Sequence, residues 1–122
     1  MQYLVKLDPN TYRYTQVDVV RSKREAKALL DFIHTHIDPA HDEQGIWKWV
    51  VPLCEGVLQN KIKLPIPVED RPLKYQIREG LLPRDFEELY APFLLTITGS
   101  PRSRTQEIVI NGELYTYVDF EE

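Results

Sequence analysis

Asn111 and Gly112, set between two runs of alternating residues, constrain this chain more than any other pair. A type I′ turn needs positive φ at both central positions, which Asn tolerates and Gly takes freely. Its twist also suits the strands on either side. Residues 105–120 therefore read as a β-hairpin, and the fold is at least partly β.

The rest of the chain is read outward from that anchor. Residues 3–7 and 12–20 alternate around the turn cluster Asp8-Pro9-Asn10, which predicts an opening hairpin. Ser22-Lys23-Arg24-Glu25 has the form of a capping box with Ser22 as the N-cap. Behind it Ala26, Leu29, Leu30, Ile33 and Ile37 fall on one helical stripe, and Asp38-Pro39 stops the helix. Residues 46–51 fit a strand by their aromatic and β-branched content. They fit a helix by the spacing of Ile46, Val50, Leu53 and Val57, and Pro52 is read as a break that opens a short helix over 52–60.

Pro65, Pro67 and Pro72 favour an extended crossing. Residues 73–78 read as a strand. Pro83 opens a helix that Pro92 ends, and 93–98 read as a buried strand. Strands come in blocks with helices between them, so the expected class is α+β, with a mainly antiparallel sheet and two or three helices. A chain of 122 residues, 43% of them hydrophobic, is the size of one globular domain, and residues 1–122 are read as such.

Charge and cysteine usage narrow the function classes. A formal net charge of −4 disfavours a sequence-independent nucleic-acid binder, which needs cations to displace counterions from phosphates. That role is the weakest alternative, through Lys23, Arg24, Lys61, Lys63, Arg102 and Arg104 if folding gathers them. Cys54 is the only cysteine, so an intramolecular disulfide is ruled out and a reducing, cytoplasmic setting is expected. No apolar run approaches the roughly 20 residues that span a bilayer, and no membrane role is expected.

Motifs of chemistry are sparse. His34, His36 and His41 lie among carboxylates, yet residues two apart on a helix point about 200° away from each other, so no metal site is expected. Cys54 sits in an apolar run without an activating neighbour and reads as an inert hydrophobe. The five glycines form no phosphate-cradling pattern, and no cofactor is expected.

Two candidate surfaces remain. Arg102, Ser103 and Arg104 combine guanidinium forks with a hydroxyl in a loop, which suits a phosphate or carboxylate. Trp47 and Trp49 flank Lys48, while Tyr115 and Tyr117 share a strand face with Glu113. These four aromatics are interface candidates. On a strand the two tryptophans would share one sheet surface, packed on the helix that follows Ser22. The resulting expectation is a non-catalytic protein-interaction or regulatory module able to form a homodimer through a sheet edge. The alternative is a small enzyme or ligand-binding domain that holds an anionic small molecule on the Arg102 and Arg104 loop.

Overall fold

Three strands form an antiparallel sheet in the order β1-β3-β2, with β1 at Gln2–Lys6, β2 at Ile108–Ile110 and β3 at Glu113–Asp119. The computed structural model describes residues 1–101 and 106–121. The Asn111-Gly112 turn forms as its sequence dictates, with φ of 51° and 80°, and pairs Ile110 with Glu113. The opening strand pairs with the end of the chain, Gln2 opposite Asp119 and Lys6 opposite Tyr115.

The expected hairpin with 12–20 shrinks to one bridge between Leu7 and Tyr14. Asp8 does make the predicted turn, its carboxylate accepting from the amides of Asn10 and Thr11 at 2.8 and 3.2 Å. Neither face of 12–20 is consistently apolar. β3 instead offers Thr116 and Val118 beside Val5 and Leu7, all buried, and so takes the place next to β1.

Helix α1 spans Val19–His36 and begins four residues earlier than the capping box implies. Asp18 is the N-cap, accepting from the Arg21 amide at 2.9 Å, while Ser22 lies inside the first turn and donates its hydroxyl to the Asp18 carbonyl at 2.7 Å. Residues 46–51 are helical, a π-helical turn at Ile46–Val50 leading into α2 at Val51–Leu58, so Pro52 does not break the segment but sits second in α2, behind the wider π turn.

Residues 73–78 are not a strand: α3 covers Lys74–Arg78, entered from Leu73 at a φ of 63°. Nor does Pro92 end its helix. α4 runs through it over Arg84–Ile97, which absorbs the strand expected at 93–98. The hydrogen bond that Pro92 forfeits would run to the carbonyl of Glu88, an exposed residue on the solvent side of the helix, where loss is cheapest. Four α-helices are thus described, against two or three expected.

The α+β class holds, with an uneven division of labour. The hydrophobic core is helical, built from α1 (Ala26, Leu29, Ile33), the π turn and α2 (Val50, Cys54) and α4 (Phe86, Tyr90, Phe93, Ile97). The buried sheet residues stand outside that cluster. Between the sheet and the helix ends a cleft remains. No helix among the described residues is long and apolar enough to cross a membrane.

Candidate functional site

The sheet has two faces of different character. Strand alternation puts Val5, Thr116 and Val118 on the inner face, toward the helices, and Leu4, Lys6, Tyr115 and Tyr117 on the outer one. On the outer face Leu4 lies directly opposite Tyr117, Tyr115 lies between Lys6 and Ile108, and Ile110 lies opposite Glu113. An apolar band therefore crosses all three strands. Tyr117 is 59% exposed, Leu4 41% and Ile110 39%. Cross-strand neighbours on one face stand about 4.5–5.5 Å apart at Cβ, close enough for the band to present a continuous surface.

A polar network borders the band. Lys6 Nζ donates to Glu113 Oε1 at 3.0 Å, and the Tyr115 hydroxyl donates to Glu113 Oε2 at 3.1 Å. The hydrogen bond from Lys6 holds the Glu113 carboxyl below its ordinary range, and the same bond raises Lys6. Tyr115 is likewise raised, chiefly by its bond to Glu113.

The two tryptophans do not share a face. On a helical turn, residues two apart diverge, and here Trp47 is half-buried with its indole Nε1 donating to the Ile37 carbonyl at 2.8 Å. Trp49 is 54% exposed and lies against Gly45, with Lys48 Nζ 5.0 Å from its ring centroid.

The cleft of about 390 Å³ lies between the start of α1, the end of α4 and the inner face of β3. Gly99 shapes its floor. It ends α4 in a Schellman arrangement, Ser100 N donating to the Leu95 carbonyl at 2.9 Å and Gly99 N to the Thr96 carbonyl at 3.2 Å. Tyr14 N then donates to the Gly99 carbonyl at 2.8 Å. Arg21, Tyr14, Thr116 and Gln106 line the walls. This cleft had no signal in the sequence, because Arg21, Tyr14 and Thr116 come from three separated segments and none belongs to a motif.

The remaining candidates are dispersed. Arg102, Ser103 and Arg104 lie outside the described residues, although Ser100 and Gln106 on either side of that stretch line the cleft. The histidines have separate neighbours: His34 meets Trp47 edge-on at 4.8 Å, His36 meets Phe32 at 4.7 Å, and His41 Nε2 stands 3.8 Å from Asp38. Among the described residues no group of three or more His, Cys, Asp or Glu is disposed to hold a metal ion. Arg24, one of the dispersed cations, is engaged by Glu121 at 2.6 Å. Cys54 is buried in the core, and desolvation pushes its thiol up to about 12. Comparison with models of known families, with curated proteins and with solved structures finds no match to this chain, so the outer face and the cleft rest on their own geometry.

Proposed function

We propose that this protein is a non-catalytic interaction module that associates with a second copy of itself through the outer face of its sheet. The observation that carries the reading is the apolar band of Leu4, Tyr117, Tyr115, Ile108 and Ile110, which no described element covers. Large apolar side chains gathered on one exposed face mark association surfaces, and tyrosine brings contact area at low entropy cost.

A second copy suits this face because its charges are already balanced. Lys6 and Glu113 neutralise each other beside the band, so two copies related by a two-fold axis bring no uncompensated charge together. A strongly acidic or basic partner would gain nothing there. The single thiol supports a reducing, cytoplasmic setting for such a module.

Sedimentation across a concentration series tests the reading. The wild-type chain is expected to form a reversible dimer. The double variant Leu4→Lys, Tyr117→Lys should weaken it by about 30-fold or more, as loss of a hot spot does, with unchanged circular dichroism. A chain that stays monomeric throughout, or a dimer that survives the double variant, overturns it.

A further inference from the structure

We infer that the cleft behind the sheet is a binding site for the carboxylate or phosphate group of a small molecule, anchored by the guanidinium of Arg21 with the hydroxyls of Thr116 and Tyr14. Thr116 lines it from the inner face of β3, and Tyr117, whose side chain belongs to the outer face, borders it as well.

Unused donors are the first support. Thr116 is 2% exposed, its side chain lines the cleft, and its hydroxyl has no hydrogen-bond partner among the described residues. Among the described residues Arg21 Nε alone is a side-chain polar atom sealed without a partner, so the Thr116 hydroxyl keeps access and is a donor that a bound group can reach. The hydroxyl of Tyr14, half-buried on the same cleft, is also unpartnered among those residues.

Arg21 supplies the charge. Its Nε is sealed from solvent with no hydrogen bond and forms an ion pair with Glu25 Oε1 at 3.7 Å. The two terminal nitrogens make no hydrogen bond to the described residues. Their parallel N–H groups fit two oxygens of one carboxylate or phosphate, the arrangement in which arginine binds best.

The acids on the cleft do not compete for that role. Asp18 is turned toward backbone amides, accepting from Arg21 N at 2.9 Å and Glu121 N at 2.7 Å. Asp119 stands at the mouth with its side chain 79% exposed, where solvent screens it. Burial raises the Tyr14 phenol, so it remains a donor at neutral pH. The volume lies within the range of small-molecule sites.

The test is nuclear magnetic resonance on the full chain, titrated with sodium acetate, sodium phosphate or, as the ionic-strength control, sodium chloride. Saturating shifts are expected at the Arg21 side-chain Nε–H and at the backbone amides of Arg21 and Thr116, with acetate, phosphate or both, and not with chloride. Saturation by phosphate alone assigns a phosphate group to the ligand, and saturation by acetate alone a carboxylate. Arg21→Gln should weaken binding at least 10-fold. Thr116→Val, which keeps shape and removes only the hydroxyl, should weaken it several-fold. Shifts that track chloride overturn the inference and identify a solvated cleft. Binding that both variants retain, or that only Arg102→Ala with Arg104→Ala abolishes, overturns it too and moves the anchor elsewhere.

Discussion

Gly99 and Gly112 share a left-handed backbone, with φ of 70° and 80°, and differ in what surrounds them. A Cβ on Gly112 would meet nothing within 4 Å, whereas one on Gly99 would stand 2.5 Å from the Tyr14 carbonyl oxygen. Alanine at 112 then costs only the left-handed penalty of about 1–2 kcal/mol. Alanine at 99 adds a clash with backbone that cannot swing aside, and the expected loss is about 2–4 kcal/mol. Urea midpoints of the two variants compare them directly, and equal losses would show that the junction yields.

Cys54 makes a second prediction at this scale. Its thiol ionises near 9 when free and is pushed up to about 12 in the fold, so the folded state favours the protonated form. The stability this provides is complete below about pH 9 and is lost as pH rises toward about 12, because the unfolded chain releases its proton first. Stability measured over that interval should fall less steeply in Cys54→Ala than in the wild type. At neutral pH a thiol reagent should label the native protein no faster than the protein opens.

Among the elements, α4 offers the sharpest contrast between sequence and structure. A strand at 93–98 would put residues 93, 95 and 97 on one face. The helix buries Phe93, Leu94 and Ile97 and leaves Leu95 41% exposed. Leu94→Lys should therefore destabilise by about 3 kcal/mol or more, and Leu95→Lys by less than about 0.5 kcal/mol. Thermal unfolding of the pair decides it, and the reverse ranking would restore the strand.

The same helix shows why some elements were legible and others were not. Phe86, Tyr90, Phe93, Leu94 and Ile97 do carry helical spacing, but Pro92 and the run Phe-Leu-Leu-Thr-Ile-Thr argue locally for a break and a strand, and packing in the core outweighs both. The Asn111-Gly112 hairpin and the α1 stripe were readable because turn chemistry and periodicity agree there. Ser22 misled because a capping box and a first-turn serine look alike until Asp18 is seen to hold the Arg21 amide. Tyr115 and Tyr117 were correctly placed on one face, while Trp47 and Trp49 were not, since that reading required a strand. The cleft was invisible because its residues meet only through tertiary structure.

At the scale of the whole molecule, the core and the sheet differ in how they are held. The helical cluster buries whole aromatic rings, while the sheet has three strands, one of them three residues long, and stands beside that cluster. Opening free energy tracks such burial. Hydrogen exchange should therefore be slowest at the amides of Leu29, Ile33 and Phe93 and faster in β1 and β2. Equal protection across both layers would mean that helices and sheet unfold as one unit.

The strand order carries a consequence for how the chain is made. Its central strand, β3, is the last to be synthesised, yet both other strands depend on it. Lys6 and its partner Glu113 are 107 positions apart, and at about 5–20 residues per second roughly 5 to 20 s pass between their appearance on a ribosome. Throughout that interval the helices can assemble, but Leu4 and Val5 wait as an unpaired, apolar strand. The nascent chain is thus most prone to stray strand pairing at β1, and synthesis of β3 removes that hazard.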